Sequence, residues 1–460
     1  MSERYRELVF IGVIVVGLAV GGLFDLVTGD VSPPPAPAVA HGDFLARALF
    51  CPPTGGEGQR QIAVASESGD AVPVGFGAEH KENLTAGRSL LYRSKQTDST
   101  PVTGYNGSIA AAAAVSSSSP VGGATAAQCA RSASPRWFFA GGSAGLDFDE
   151  RILLYNPFPD EAVVRLSFFT PQGQETKSSF EEVPVPAGTS EAVPINEAIR
   201  VRSAVSVAVE AKRGRVVAWK EVFARPDDKP RGVQGTLGAN NTATTWYFPD
   251  GVIGPGADQR LSVLNPTSDE AVVSITLTTA EETLQPEKLL ELAVPRRSTL
   301  TLKLNDFVTK KDFSSISATV NSVNGVGVVA ERTVWYSTDE LSGVTSDTGL
   351  RKPLQRWMLG PATLRPSTDS IILMNPGARS TRVSVSLLRP DGDTIEPEEL
   401  ADLEVGAGSR RRVPVGSFTD GRPMVALISA DGPILAERFS YSAADSDVAA
   451  VMGVPLRRLP

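Results

Sequence analysis

A spacing of about 110 residues recurs along this chain, and it constrains the fold more than any other feature of the sequence. Each period carries an early tryptophan, an Asn-Pro pair and a late glutamate. These markers are Trp137, Trp246 and Trp357; Asn156, Asn265 and Asn375; and Glu221, Glu331 and Glu437. The tryptophans are 109 and 111 residues apart, and the asparagines are 109 and 110 residues apart. A fixed period of this length predicts tandem copies of one structural unit.

Within a unit the apolar segments are short, and apolar and polar residues mostly alternate, as in residues 163–169 and 205–209. Alternation with a period of two places one side of a strand in a core and the other side in water. Clusters of Pro and Gly between these segments leave little room for helices. The sequence predicts an all-β chain of tandem immunoglobulin-like β-sandwich repeats, because about 110 residues with six or seven strands is the size of that fold.

The Asn-Pro pairs and the tryptophans are predicted to be structural. Proline donates no hydrogen bond to a strand ladder and favours extended geometry in the residue before it, so each Asn-Pro pair should end a strand and start a turn. The tryptophans should lie in cores or between domains, and stacking on a sugar ring is the alternative.

Residues 45–135 are predicted to form a degenerate first unit. Arg60 and Val72 keep the twelve-residue spacing of Arg151 and Val163, but Ala65-Ser66 stands where the Asn-Pro pair would be. This unit also holds the two cysteines of the chain, Cys51 and Cys129, in its opening and closing strands. An oxidising compartment favours their pairing, and closing a loop of this length would add about 4 kcal/mol of stability.

The amino terminus predicts an anchor. Residues 8–26 are almost entirely apolar and are about long enough to cross a bilayer as a helix. Arg4 and Arg6 precede them, which keeps the start of the chain in the cytoplasm and exports the remainder. The alternative is a signal peptide cleaved after Ala38-Val39-Ala40, which would release the protein. Residues 32–38 should form an extended polyproline spacer.

The predicted organisation is therefore a cytoplasmic start with a transmembrane anchor, a Pro-rich linker and four β-units joined by short polar connections. The boundaries are 1–27 for the anchor, 28–44 for the linker, and 45–135, 136–240, 241–350 and 351–460 for the four units, here called repeats 1 to 4. A rod of touching domains and a compact arc both fit these connections.

A net charge of −8 argues against a nucleic-acid partner, because phosphate binding requires a concentrated basic surface. Arg410, Arg411 and Arg412 form the one short basic run, and such a run on a strand is typical of a solvated face. No cofactor is predicted.

The usual catalytic groups are scarce. The two histidines, His41 in the linker and His80 in repeat 1, are predicted to be solvated, and no spacing typical of a zinc site is present. Residues 141–145 match G-x-S-x-G around Ser143, but a strand rather than a helix is predicted to follow and no histidine lies downstream, so a loop is predicted.

Acidic residues recur with the period. Asp149, Asp258 and Asp369 precede the Asn-Pro strands, and the three late glutamates each have a basic neighbour, Lys220, Arg332 or Arg438. The favoured interpretation is structural: each glutamate accepts from a loop amide or a neighbouring cation. Calcium binding and acid–base catalysis by a carboxylate pair are the alternatives.

The apolar start, the proline linker, residues 49–52 and the tryptophan and Asn-Pro landmarks resemble an uncharacterised family of actinobacterial envelope proteins. The resemblance implies export and anchoring, and it supplies no site residues.

The leading hypothesis is a non-enzymatic, membrane-anchored extracytoplasmic envelope protein that scaffolds or binds through its β-units. The second is a cell-wall glycan-binding module that stacks sugars on the three tryptophans, and the third is an enzyme that acts on wall polysaccharide through carboxylates. The predicted partners are the membrane and a wall glycan or an envelope protein.

Overall fold

The computed structural model describes residues 47–54, 57–78, 80–95, 98–105, 108–199, 201–308, 314–390, 392 and 394–456. The predicted anchor at residues 8–26, the spacer at 32–38 and His41 lie outside these residues. Within the described part of the chain, no helix is long and apolar enough to span a membrane.

The described chain is nearly all β-strand, which confirms the all-β prediction. Repeat 1 contains β1 Arg47–Cys51, β2 Glu57–Ser66, β3 Val72–Phe76, β4 His80–Leu84, β5 Ser89–Ser94, β6 Thr100–Gly104, β7 Ile109–Ser119 and β8 Gly123–Gln128. Repeat 2 contains β9 Arg136–Phe139, β10 Phe148–Tyr155, β11 Ala162–Thr170, β12 Gly173–Glu175, β13 Val183–Val185, β14 Ser190–Pro194, β15 Ser206–Arg213, β16 Val217–Ala224 and β17 Gly232–Leu237.

The second half of the chain continues in the same way. Repeat 3 contains β18 Thr245–Phe248, β19 Val252–Ile253, β20 Ala257–Asn265, β21 Ala271–Thr278, β22 Thr283–Leu284, β23 Leu292–Val294, β24 Ser298–Lys303, β25 Ser314–Ser315, β26 Ser317–Ser322, β27 Val329–Ser337 and β28 Ser342–Thr348. Repeat 4 contains β29 Leu354–Leu359, β30 Thr368–Asn375, β31 Thr381–Leu388, β32 Leu403–Val405, β33 Ser409–Pro414, β34 Val425–Ser442, β35 Asp447–Met452 and β36 Val454–Pro455.

The helices are single turns between strands. They are α1 Ile195–Ala198 and α2 Gly416–Thr419, with 3-10 turns at Ser178–Phe180, Glu287–Leu289, Leu304–Asp306 and Glu398–Leu400.

Each repeat forms two principal sheets from its own strands. One sheet, here called the inner sheet, ends in the last long strand of the repeat, with orders β5-β2-β7-β8, β14-β10-β16-β17, β24-β20-β27-β28 and β33-β30-β34-β35. The other, the outer sheet, is β1-β6-β3-β4, β12-β11-β15-β9, β22-β21-β26-β18 and β32-β31-β34-β29-β36. In repeat 4 the 18-residue strand β34 runs through both sheets.

Alternating side chains of the two sheets meet in the cores. In repeat 2, Ile152 and Leu154 from the inner sheet share one apolar cluster with Val164 and Leu166 from the outer sheet. The strands that follow the Asn-Pro turns alternate between buried and partly exposed residues, as the period-two pattern predicted.

The predicted disulfide is present. Cys51 at the end of β1 and Cys129 just after β8 are joined by an S–S bond of 2.00 Å, and both residues are buried in the core of repeat 1. The bond ties the opening strand of this alanine-rich repeat to its closing strand.

The four repeats close into a ring. The last inner strands contact one another in the cyclic order β8, β17, β28, β35 and back to β8. Repeats 4 and 1 also share an apolar cluster that contains Met358 and Val451 from one and Ala63 and Ala112 from the other. The four repeats therefore form a closed ring rather than a rod, and this closure goes beyond the compact arc that was the other expectation.

The side chain of Asp447 lies at the centre of the ring, where the four repeats meet. Its fully buried carboxylate accepts backbone N–H bonds from Ala124 at 3.2 Å, Val233 at 3.0 Å, Val344 at 3.0 Å and Val448 at 2.8 Å, one from each repeat. Burial raises the pKa of Asp447 well above its ordinary value, and the four N–H donors oppose that rise.

Glycine makes room for this carboxylate in the other repeats. Gly123, Gly232 and Gly343 occupy the matching place at the start of β8, β17 and β28. A Cβ atom on Gly343, whose φ is +125°, would lie 1.8 Å from Asp447 Oδ1. One aspartate and three glycines thus fit together at this level of the axis without clashes.

We predict that Asp447→Ala lowers the free energy of unfolding by about 3 kcal/mol or more, because four buried N–H groups lose their acceptor. Urea unfolding at neutral pH measures this loss. Asp339→Ala, at an exposed aspartate, is the control and should change stability by no more than about 0.5 kcal/mol. Equal losses in the two variants would show that the axial carboxylate is not a stabilising element.

Candidate functional site

The Asn-Pro asparagines are buried turn residues. Asn156 Nδ2 donates to the carbonyls of Asp160 at 2.8 Å and Val185 at 3.0 Å, and its Oδ1 accepts from Phe158 N at 3.0 Å. Asn265 and Asn375 make the corresponding bonds in their own repeats. Each side chain therefore satisfies the backbone of the turn that it begins.

The three tryptophans are core residues. Trp137, Trp246 and Trp357 are 2%, 1% and 1% exposed. Each indole N–H donates to a backbone carbonyl of its own repeat, at Val216, Val328 or Ile434. The prediction that they lie in cores is therefore confirmed. All three also line the axial cavity described below, so stacking on a sugar stays a prediction.

The late glutamates do not all occupy one structural position. Glu331 faces Ser262 across the ladder and Glu437 faces the equivalent Ile372, three residues before the Asn-Pro asparagine in both cases. In repeat 2 that position belongs to Trp219, which faces Leu153, and Glu221 lies two residues further along. The recurring aspartates that come before the Asn-Pro pairs do not share one position either. Asp369 of repeat 4 occupies the position of Glu150 in repeat 2, one residue after Asp149.

A buried ion pair joins repeats 2 and 3. Lys220 on β16 pairs with Glu331 on β27, and the two side chains are 2% and 0% exposed. The lysine also donates to the carbonyl of Gly141, whose N–H in turn donates to Glu331 at 3.0 Å. Ser346 adds a 2.8 Å bond to the same carboxylate. One loop residue of repeat 2 thus bonds both partners of the pair.

The same arrangement joins repeats 3 and 4. Arg332 pairs with Glu437 through two bonds of 2.5 and 3.1 Å. It donates to the carbonyl of Asp250, and the N–H of Asp250 donates to Glu437 at 2.9 Å. Repeat 1 carries alanines at these places of β7, and Arg438 in repeat 4 pairs instead with Asp369 of its own repeat.

The arginine run Arg410–Arg412 was predicted to lie on a solvated face, and this prediction is wrong for Arg410 and Arg412. Arg410 is 4% exposed, and together with Arg412 it binds the carboxylate of Asp250 across the contact between repeats 3 and 4, at 3.1 and 2.5 Å. Although burial alone would raise it, Arg412 and Arg410 hold the pKa of Asp250 below its ordinary value. Arg411 lies between them in the strand, so its side chain points to the opposite face and is exposed.

Two further sequence candidates, His80 and Ser143, were predicted to be a solvated histidine and a loop serine. His80 is exposed and pairs with Glu82 on the same strand. Ser143 lies in the loop between β9 and β10, and its hydroxyl donates to Arg202 O at 3.3 Å, so no strand-to-helix turn presents it as a nucleophile. Among the described residues, no group of three or more His, Cys, Asp or Glu side chains could hold a metal ion.

The larger of two notable cavities lies on the ring axis and has a volume of about 460 Å³. All four repeats line it where their last inner strands end, through residues that include Gln128, Asn240, Thr348 and Pro455. Its rim carries three exposed cations, Arg131, Arg351 and Lys352. The one carboxylate among its described lining residues is Asp347, which is buried and pairs with Arg332.

A second cavity, of about 220 Å³, lies where repeats 2 and 3 meet. Its lining includes Glu150, which is fully buried and accepts from Ser143 N at 2.9 Å through Oε2. Oε1 has no hydrogen-bond partner among the described residues. Burial raises the pKa of Glu150 to about 7, while Lys220 and the Ser143 N–H oppose the rise. Sequence alternation carried a signal here, since Glu150 shares a strand face with Ile152 and Leu154.

A comparison with protein families gives a match over most of the chain. Residues 93–331 and 309–437 match a family described as "Family of unknown function (DUF5719)". The chain belongs to this family. The match covers most of repeats 2 to 4 and the second half of repeat 1, so DUF5719 spans several repeats of the ring.

The other comparisons add little. No curated protein matches the DUF5719 chain. Among solved structures, an alpha-L-rhamnosidase from Streptomyces avermitilis, in complex with L-rhamnose, shares 8% identity with a TM-score of 0.15. The alignment covers 82% of the present chain and about half, 53%, of the rhamnosidase chain. A similarity this low supports no statement about fold or activity.

We predict that Glu331→Gln lowers the free energy of unfolding by about 3 kcal/mol or more, because it leaves Lys220 as an uncompensated buried charge. The double variant Lys220→Met/Glu331→Gln should lose less than the sum of its two single variants. Thermal and urea unfolding measure both. Glu181→Gln breaks an exposed pair with Lys212 and should cost no more than about 0.5 kcal/mol. Strict additivity of the buried pair would contradict the direct interaction.

We predict a pH effect from Glu150. Its folded pKa of about 7 lies above the ordinary value of 4.5, so the unfolded chain loses this proton first as the pH rises. The wild type should therefore lose about 3 kcal/mol of stability relative to Glu150→Gln between about pH 4 and pH 8. Urea unfolding across that range tests this, with the exposed Glu197→Gln as control. A wild-type minus variant difference that stays constant with pH would contradict it.

Proposed function

We propose that this chain is a non-enzymatic, membrane-anchored envelope protein of an actinobacterium, whose extracytoplasmic ring binds an acidic wall polysaccharide at the axial cavity. The observation that carries the proposal is the axial cavity itself. Every repeat contributes to its lining, and its exposed charges are three cations with no exposed carboxylate among the described lining residues.

The exposed charge at the rim of the axial cavity is opposite in sign to the net charge of the chain. The chain has a net charge of −8, whereas the exposed charges of this cavity are positive. A local concentration of one sign in a concave site attracts ligands of the opposite sign and strengthens the field there. An anionic ligand is therefore favoured at the axis.

The placement of the cations favours an extended ligand. Arg131 belongs to repeat 1, whereas Arg351 and Lys352 begin repeat 4. These repeats are neighbours in the ring, so the three cations come from two adjacent repeats. A polymer that bears carboxylates at intervals can contact the cations of both repeats at once, and multiple contacts along one ligand add to its affinity.

Sequence supports the proposed location. The apolar residues 8–26, the positive flank and the proline spacer favour an exported chain that stays attached to the membrane. The Cys51–Cys129 disulfide agrees with an oxidising extracytoplasmic compartment. We further propose that each repeat is an immunoglobulin-like sandwich, which the shared core of inner and outer sheets supports.

A structural role for the recurrent carboxylates supports the non-enzymatic interpretation. Glu331 and Glu437 are each 0–1% exposed and are occupied by a cation and a loop N–H. Charges engaged in this way stabilise contacts between repeats and are not accessible to a polysaccharide.

We predict that the full-length protein in detergent micelles is retained by the acidic fraction of isolated wall polysaccharide. The triple variant Arg131→Ala/Arg351→Ala/Lys352→Ala should bind at least about tenfold more weakly, a loss of about 1.4 kcal/mol. Wild-type retention should also weaken with rising ionic strength, because salt screens exposed charges.

The matched control is Arg88→Ala/Lys288→Ala/Arg296→Ala, which removes the same charge from exposed sites that do not line the cavity. It should bind as the wild type does. Failure of the wild type to bind, or equal binding by the two triple variants, would overturn the axial assignment.

A further inference from the structure

The contact between repeats 2 and 3 contains a cavity where the contact between repeats 3 and 4 is filled. The strand registers allow the two contacts to be compared position by position. On the repeat 3 side of the cavity stand Ser262, Thr301 and Thr333. The equivalent positions of repeat 4 carry Ile372, Arg412 and Phe439.

The bulkier set fills the space between repeats 3 and 4. Ile372 and Phe439 join an apolar cluster there with Val252 and Val334, and Arg412 covers the Phe439 ring at 5.1 Å. Three small hydroxyl residues in the same positions leave about 220 Å³ open between repeats 2 and 3. The cavity is therefore a local departure from a contact that this fold is able to close.

Two buried polar atoms in the cavity lining have no partner among the described residues. One is Glu150 Oε1, on a side chain that is 0% exposed, and the other is Trp335 Nε1, on a side chain that is 6% exposed. The first accepts a hydrogen bond and the second donates one. Leaving such groups unpaired costs about 1–3 kcal/mol each, so the pair favours an occupant that both donates and accepts.

The equivalent positions elsewhere show how these groups are otherwise satisfied. Gln259 corresponds to Glu150 in repeat 3, and its Oε1 accepts from Val252 N at 2.6 Å. Asp369 corresponds to it in repeat 4 and is paired with Arg438. Of these three residues, Glu150 is the one that faces a cavity with a carboxylate oxygen that no described residue bonds.

The charges of the cavity favour a neutral occupant. Lys229 and Arg260 share the carboxylate of Asp258, and Lys220 binds Glu331, so each cation of the lining already has an acidic partner. Asp147 and Asp228 are exposed at the rim. A cationic ligand would meet the three basic groups and an anionic ligand would meet the acidic rim.

Size and lining narrow the chemical class. The volume is below the roughly 300–1,000 Å³ of sites for drug-sized molecules, which limits the occupant to about one small ring. Phe148 and Trp335, whose rings meet edge to face at 6.2 Å, supply apolar surface beside the hydroxyls. A sugar ring has this combination of hydroxyl donors, hydroxyl acceptors and C–H faces.

We propose that the cavity between repeats 2 and 3 binds a single neutral pyranose unit, with a sugar hydroxyl donating to Glu150 and a sugar oxygen accepting from Trp335 Nε1. This site is separate from the axial cavity and does not depend on acidic polymer binding there. It gives the ring a second, uncharged recognition element.

The test is a titration of the full-length protein with D-glucose, D-galactose, D-mannose and N-acetyl-D-glucosamine, followed by calorimetry and saturation-transfer NMR. At least one sugar should bind saturably. Trp335→Phe keeps an aromatic ring but removes the indole N–H donor together with part of the ring surface, and it should weaken that binding by about tenfold. Thr333→Val, an isosteric loss of a lining hydroxyl, should also weaken it.

Trp219→Phe is the matched control. Its indole nitrogen is likewise buried without a partner among the described residues, but it lines a space of only about 20 Å³ between repeats 1 and 2, so sugar binding should be unchanged. The axial triple variant should also bind the sugar normally, which separates this site from the axial one. No saturable binding by any of the four sugars, or equal affinity in Trp335→Phe and the wild type, would overturn the proposal. Preferential binding of choline, tested as a cationic alternative, would do so as well.

Discussion

Ring closure covers the inner sheets on both faces, and the remaining features of this structure follow from that burial. All eight residues of β16 are buried, although a strand in an isolated two-sheet unit would leave alternate residues in water. Charged side chains on the second face are consequently withdrawn from solvent. An unpaired charge in such a place is strongly unfavourable, so each one requires a partner, and for Lys220 and Arg332 a partner belongs to the neighbouring repeat.

The ion pairs between repeats therefore specify which repeats meet and in what register. Lys220 with Glu331 and Arg332 with Glu437 both use one loop residue of the preceding repeat as a shared donor and acceptor. A slip of one residue in either strand would turn these charges to the other face of the sheet. Repeat 1 has only alanines at these positions, and they offer no charge to its neighbours. Trp219 of repeat 2 packs against repeat 1 instead, and Arg438 of repeat 4 pairs with Asp369 of its own repeat. A buried pair adds little net stability compared with apolar packing, and its main effect here is specificity of assembly.

The sequence was sufficient to predict features that depend on local geometry. The all-β class, the Asn-Pro turns and the disulfide each rest on residues within one repeat and follow short-range rules. The period follows from the spacing of equivalent residues along the chain. Features that arise between repeats were missed. Arg410 and Arg412 were interpreted as a solvated run because a strand pattern specifies which residues share a face, and it does not specify what covers that face. Glu221 was grouped with Glu331 and Glu437 by letter and spacing, whereas the ladder register places Trp219 in that position. Asp447 had no visible signal other than standing where its siblings have glycine.

The positions at which one repeat differs from the others indicate where a ligand could bind. A position that recurs in every repeat, such as the asparagine of the Asn-Pro turn, is explained by the backbone that it satisfies. The strand positions of Thr301 and Thr333 accept either large or small side chains, since repeat 4 fills them with Arg412 and Phe439. Small residues there leave one polar atom of Glu150 and one of Trp335 without a partner in the described part of the chain, at a cost in stability that packing could have avoided. An occupant of the cavity would offset that cost, and for this reason the contact between repeats 2 and 3 is the place in the ring where recognition is favoured over rigidity.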